Sequence, residues 1–497
     1  MKISSLRSAK LNALASYASF IVNSILSFFV SPFLVQYLGS SNFGIWKSIQ
    51  KYMTFATVAD GRATQALKWV IANDESNQNV LEKQQAVGSA LKVWSYFLPF
   101  VLVFISIIVW KLPELINGLN SELYPKVQNL GVILGLNLLI NPLIGIPDAI
   151  LVGTNNGYRS TLIKTVGIIL SNFFMILSSY LGYGLIGLGV VVLSITCLNS
   201  IFIFYVCKRS VSWLGIKNPS KLQLQSFLGF SFWVLIWSFV SKLILSTEIL
   251  LISYLLGPQE VSNYVFSAYL VQLCVAVALS TGSAITPTLG KLIGAKEWHK
   301  ARKVTEVIRE TILFITAFFS GLILLVNENF VSLWVGDGFF LGSHTNLMVV
   351  LIMIQLVMFR IEGQIQDLSL EIRNKVLVGG IGSVLSFVLG LIFYGVMDTR
   401  VEGLFIGVLI GRVSLNIAFK VMVNQMMNIK TNYKSLVYLG FIVTSCYVLG
   451  WQMPSFHSWI SFIPFLLFLS VCLFILCYFL FLSNESKDKI LLMLKLR

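Results

Sequence analysis

Residues 184–207 read GLIGLGVVVLSITCLNSIFIFYVC, and Lys208-Arg209 follow at once. Twenty-four uncharged residues at about 1.5 Å each are enough to cross a hydrocarbon core of about 30 Å. The two cations stop the run at an aqueous surface, so this stretch is a membrane helix rather than a buried core helix.

The same pattern repeats outward in both directions. Turn and charge clusters cut the 497 residues into fourteen spans, at roughly 11–36, 43–70, 87–110, 126–153, 159–180, 184–207, 225–255, 261–290, 304–327, 346–370, 375–396, 402–426, 433–451 and 458–482. Composition agrees: 56% of the chain is apolar, only 11% is charged, and the mean hydropathy is +0.83. Soluble domains are about 25% charged, so too little charge is present to clothe a water-facing surface. The basic N-terminus, MKISSLRSAK, leads into a long apolar run with no A-x-A-like cleavage site and reads as the approach to a first span.

Loop charges test the count independently. The chain carries 36 Lys and Arg against 21 Asp and Glu, a net charge of +15. With fourteen spans, the termini and alternate loops on one side hold 24 of the 36 basic residues. The opposite loops hold only Lys111, Lys126 and Arg400, beside Glu114, Glu122, Glu260, Glu328, Asp337, Asp398 and Glu402. Basic residues mark the cytoplasmic side, so both termini are expected in the cytoplasm. Most of the positive charge is thereby explained by topology, without nucleic acid as a partner.

The chain also repeats itself. Leu38-Gly39, leading to Trp46, returns as Leu256-Gly257, leading to Tyr264, at an offset of 218. Gly184-Leu-Ile-Gly-Leu returns as Gly403-Leu-Phe-Ile-Gly at an offset of 219, and Ile71-Ala-Asn-Asp-Glu75 corresponds to Ile293-Gly-Ala-Lys-Glu297. Six spans per repeat is an even number, which implies parallel lobes related by an axis along the membrane normal. The expected fold is an all-α polytopic membrane protein with about fourteen transmembrane helices, arranged as two six-helix lobes plus two C-terminal helices. The lobes are placed at 1–207 and 225–426, joined by a cytoplasmic connector at 208–224. Residues 427–497 form the two additional spans and a basic tail.

Several familiar chemistries are absent from the pattern. The six cysteines form no C-x-x-C, the three histidines are far apart, and no metal or cofactor is expected. Gly182-Tyr-Gly184-Leu-Ile-Gly187 fits G-x-G-x-x-G, but it lies between two membrane spans rather than after a strand. No Walker A motif or soluble nucleotide domain is present, so coupling energy must come from an ion gradient or from the substrate's own gradient.

Charge within the membrane costs about 2.5–3.5 kcal/mol per residue and normally faces a cavity or a partner. Lys68, Lys92, Lys164 and Arg309 lie near expected cytoplasmic ends and read as snorkelling side chains. The deeper cations Lys51, Arg62, Lys242 and Arg412, with Lys47 nearer the outer end, are the candidate lining of a cationic lumen for an anionic substrate. On an unbroken helix Lys47, Lys51 and Arg62 share one stripe, and Arg412, Asn416 and Lys420 share another. Asn12, Ser16, Ser19, Asn23 and Ser27 form a polar stripe in span 1, equally readable as helix–helix glue. Asp60, Glu248, Arg360, Glu362 and Asp367 are candidates for ion coupling, by sodium or a proton, or for a self-neutralising network.

The chain resembles the multidrug/oligosaccharidyl-lipid/polysaccharide exporter superfamily, and within it the polysaccharide-transport branch of O-antigen and capsule repeat-unit flippases. The resemblance is carried by Asn23 and Pro32, by Leu38-Gly39 with Phe43-Gly44-Ile45-Trp46, and by Asp60-Gly61 with Ala66-Leu67. Here Asp60 and Gly61 are adjacent, whereas the family usually has one residue between them. The resemblance implies a flippase, not an enzyme, in the bacterial inner membrane. Its substrate would be an undecaprenyl-diphosphate-linked oligosaccharide, moved to the outer leaflet by alternating access. It further implies membrane lipids as partners, together with a glycan polymerase and other assembly proteins. Two alternatives share the superfamily: a lipid-linked peptidoglycan-precursor flippase and a multidrug or organic-cation antiporter. A membrane glycan polymerase or ligase is disfavoured, because the longest external loop is short.

Overall fold

The computed structural model describes residues 2–57, 63–73, 79–369, 372–397, 399–429, 433–483 and 487. Among these, regular structure is helical throughout. In chain order the helices are α1 (Lys2–Leu38), α2 (Ser40–Ala56), α3 (Ala63–Asn73), α4 (Val80–Leu115), α5 (Tyr124–Gly153), α6 (Gly157–Tyr180), α7 (Gly184–Ser210) and α8 (Lys221–Leu255). They continue with α9 (Pro258–Ser267), α10 (Tyr269–Gly294), α11 (Trp298–Val335), α12 (Ser343–Gln366), α13 (Ile372–Val396), α14 (Arg400–Met427), α15 (Lys434–Gly450) and α16 (Trp459–Phe481). Short 3-10 turns occupy Ser121–Leu123 and Asp367–Ser369.

Twelve helices are long and apolar enough to cross a membrane, and they coincide with twelve of the fourteen expected spans. The remaining two segments are shorter. Span 13 is the 17-residue α15. Span 2 is described as two helices, α2 to Ala56 and α3 from Ala63, and residues 58–62 between them lie outside the described residues. Among the described residues, twelve full-length spans are found.

Exposure separates two kinds of helix. In the most apolar windows of α4, α7 and α16 only 17% of residues are buried within the protein, against 56% in α11 and 61% in α12. Such broad apolar exposure is destabilising in water and natural against hydrocarbon. The protein is a multi-pass membrane protein.

The chain forms two compact units, Met1–Ser262 and Asn263–Arg497. In the first, α5 packs on α3, α4 and α7, α6 packs on α1 and α7, and α8 lies against α2, α3 and α4. Its core combines small and branched residues from these helices, including Leu67, Ala86, Ala90, Val93, Ile150 and Ile203. In the second, α11 is central. Its stripe Ala301, Thr305, Ile308, Ile312, Thr316 and Ser320 recurs every three to four residues and is buried among α10, α12, α15 and α16.

Local chemistry fixes the helix starts. Asn79 accepts from the backbone N–H of Leu81 and Glu82 and donates to Glu82 at 2.9 Å, which caps α4. Gly39 and Gly257, matched in the sequence repeat, have φ of +81° and +98°, and each opens a short helix. Only glycine reaches that backbone region without strain. Gly44 is fixed by contact instead: a Cβ there would lie 1.8 Å from the Pro258 carbonyl oxygen. Ser40 hydrogen-bonds Gln259 beside it.

Candidate functional site

In the first unit the charged site is built on α2 and α8. Lys47 and Lys51 lie one turn apart on α2, both half-buried, with Lys47 over the Phe43 ring at 5.1 Å. Among the described residues neither makes a hydrogen bond or a close ion pair. Lys51 lies in the field of both Lys47 and the buried Glu248 of α8. Lys242, also on α8, donates from Nζ to the Thr54 carbonyl at 2.8 Å. That carbonyl lies in the last turn of α2, where a cation is favoured, and it also accepts from the Thr57 hydroxyl at 2.9 Å.

Of the expected stripe Lys47–Lys51–Arg62, Lys47 and Lys51 lie one turn apart on α2. Asp60 and Arg62 lie outside the described residues. The polar stripe of span 1 is anchored at its start: Asn12 donates to Asn155 Oδ1 at 2.8 Å and accepts from the Tyr158 N–H at 2.6 Å. That residue ties α1 to the turn between α5 and α6.

In the second unit charge is paired across helices. Glu362 of α12 receives two parallel bonds from Arg309 of α11, Nε to Oε1 and Nη2 to Oε2, each at 2.8 Å. Arg309 does not snorkel, as its position predicts; only 17% of its side chain is exposed. Lys375 of α13 is buried and bonds both the Gly363 carbonyl at 3.0 Å and Asp367 at 2.5 Å. Arg360 lies in the field of Asp367. Arg412 of α14 is 1% exposed, and its carbonyl accepts from Asn416 Nδ2 at 3.1 Å.

Glu362 and Asp367 each find a cation on a different neighbouring helix. Sequence reasoning missed Arg309, Lys375 and Lys420 as partners. The 53 residues between Arg309 and Glu362 carry no periodic signal that would join them; only the packing of α11 on α12 does.

A family profile described as polysaccharide biosynthesis protein matches residues 76–341, just over half of the chain. The chain belongs to that family. Solved structures with a similar fold include a lipid II flippase and MATE family transporters of the MOP superfamily. The lipid II flippase MurJ in an inward closed conformation aligns over 97% of this chain and 99% of its own, with a TM-score of 0.70 at 15% identity. An inward-facing multidrug resistance MATE family transporter aligns over 82% of this chain and 94% of its own, with a TM-score of 0.60 at 15% identity. A mutant of the Vibrio cholerae MATE transporter VcmN aligns over 86% of this chain and 98% of its own, with a TM-score of 0.57 at 17% identity. These neighbours are transporters and flippases, and at such identities the likeness is one of fold. No curated protein matches the sequence.

Proposed function

We propose that this member of the polysaccharide biosynthesis protein family is a flippase. It moves an undecaprenyl-diphosphate-linked oligosaccharide repeat unit, of O-antigen or capsule type, from the cytoplasmic to the outer leaflet of the bacterial inner membrane. Both termini are cytoplasmic, following the distribution of basic loop residues. The observation that carries this reading is the surplus of cations over carboxylates on α2 and α8. Lys47 and Lys51 have no ion pair of their own among the described residues. A diphosphate brings about two negative charges into a low-dielectric region, and ammonium donors there offset part of its lost hydration.

On this reading Lys47, Lys51, Lys242, Arg62 and Arg412 line the cationic path. Asp60, Glu248, Arg360, Glu362 and Asp367 supply ion coupling or hold the scaffold. The lobes 1–207 and 225–426 rock about the connector 208–224 to give alternating access, with a polymerase and other assembly proteins taking the product.

One observation favours a second reading: the end-to-end likeness to MurJ points to a peptidoglycan-precursor lipid as cargo. Both cargoes present a diphosphate, so the lysine site serves either. The test is Lys51→Ala in cells, with Lys51→Arg beside it. Surface glycan is expected to fall sharply in the first and return in the second, with equal protein in the membrane. Unchanged glycan display in Lys51→Ala overturns the assigned site. Rescue of cells depleted of their lipid II flippase would move the reading to the second cargo, and altered drug susceptibility would move it to the antiporters.

A further inference from the structure

A cavity of about 350 Å³ lies wholly within the second unit, among α11, α12, α14 and α15. That is within the range of small-molecule sites, about 300–1,000 Å³. Its walls are chiefly apolar, with Ile312, Met358, Val413 and Ile417 among them, while Arg309, Glu362 and Lys420 supply charge. Helix α15 packs on α11 and α12, and α14 packs on α12 and α13, but α14 and α15 make few contacts with each other. The cavity occupies the wedge between them. The rim residues Val413, Ile417 and Val421 of α14 are 45%, 59% and 45% exposed. An exposed apolar rim on a membrane helix is a surface open to lipid.

The charges in the cavity are unequal in number. Arg309 spends two of its five N–H groups on Glu362 and has no other partner among the described residues. Lys420 lies in the field of both members of the pair, touches neither carboxylate oxygen closely, and sits over the Tyr433 ring at 5.8 Å. Two cations around one carboxylate leave a net charge of +1, with unspent donors on both cations. We propose that this cavity is a resident site for an anionic phospholipid of the surrounding membrane, its phosphodiester held by Lys420 and Arg309 and its hydrocarbon laid along the α14 wall.

Charge complementarity selects this occupant over the transported cargo. A phosphodiester carries one negative charge and matches the net +1. A diphosphate brings a second charge against Glu362, and like charges at this depth repel. Phosphate recognition by an Arg–Lys pair is charge-assisted and directional. Lys300, Arg302 and Lys303 lie in the first turns of α11, Lys420 lies near the end of α14, and Lys434 opens α15. They attract anionic lipid to the surface from which the cavity is entered. The site is independent of the proposed translocation, and its test measures binding alone.

The test uses the full-length protein in a neutral detergent. Dioleoylphosphatidylglycerol, dioleoylphosphatidylcholine or inorganic phosphate is added, and bound lipid is counted by native mass spectrometry. Wild type is expected to retain phosphatidylglycerol in preference to phosphatidylcholine, with inorganic phosphate failing to displace it. Lys420→Gln, which leaves the Arg309–Glu362 pair intact, should bind phosphatidylglycerol about tenfold more weakly, the loss of one charge-assisted bond. Val413→Trp, which fills the wedge without touching the charges, should lose it as well. Equal retention of the two lipids overturns the proposal, as does undiminished phosphatidylglycerol binding in both variants. Displacement by inorganic phosphate alone shows a free-anion site and overturns the lipid occupant.

Discussion

The α2–α8 region and the α11–α12–α14 region use the same residue types in opposite ways. In the first, Lys47, Lys51 and Lys242 stand with one carboxylate among the described residues of α2 and α8, Glu248, and the α2 lysines make no ion pair among the described residues. In the second, Glu362 is clamped by Arg309 and Asp367 by Lys375, so these four charges are paired with one another while Lys420 stands beside them in excess. Intramembrane charge therefore has two outcomes. Where cations and carboxylates match, they hold helices together; where cations exceed carboxylates, an anion from outside is the missing partner.

The biggest change should come from breaking the matched region. Glu362→Ala strands Arg309 in a buried setting, and losing one partner of such a pair costs about 3–5 kcal/mol. Thermal unfolding in detergent should show a clear drop in melting temperature. The double variant Arg309→Met with Glu362→Leu should recover most of it, because an apolar pair leaves no unpaired charge. A single variant that melts with wild type would show that the pair does not hold α11 to α12.

Next in size is the unmatched region, where the effect should fall on transport rather than stability. Lys51→Ala removes one charge-assisted contact, about 1.5–3 kcal/mol or at least tenfold in apparent affinity for a diphosphate-linked lipid. Its melting temperature should stay near that of wild type. A large loss of stability instead would place Lys51 with the structural cations of the second unit.

A smaller effect is expected at Asp367, whose side chain is 51% exposed. Asp367→Asn should cost about 1 kcal/mol or less, since solvent screens the lost attraction and Lys375 keeps its bond to Gly363. The smallest belongs to the exposed pair Lys111–Glu114, 2.7 Å apart. Lys111→Ala should leave melting within about 0.5 kcal/mol of wild type.

Much of the fold is legible in the sequence because hydropathy and loop charge are properties of single segments. Twelve spans, including 184–207, coincide with helices, and Gly39 and Gly257, which correspond in the repeat, both have positive φ. Span 2 is harder to read: residues 43–70 carry enough apolar side chains to suggest a crossing, while the described α2 spans only Ser40–Ala56. The site is only half legible. Lys47, Lys51, Lys242 and Glu362 announce themselves as buried charges. Arg309 reads as a surface cation because a cation near a helix end ordinarily reaches for water. Its partner lies on another helix, and no spacing within one helix shows that.

The lysine assignment meets its sharpest test in liposomes that carry purified protein and an undecaprenyl-diphosphate-linked oligosaccharide loaded on one leaflet. Transfer to the opposite leaflet is followed for wild type and for Lys47→Gln with Lys51→Gln. Wild type is expected to transfer the lipid, and the double variant to do so at least tenfold more slowly, with both proteins equally stable. Equal rates would contradict a role for these lysines in carrying the diphosphate.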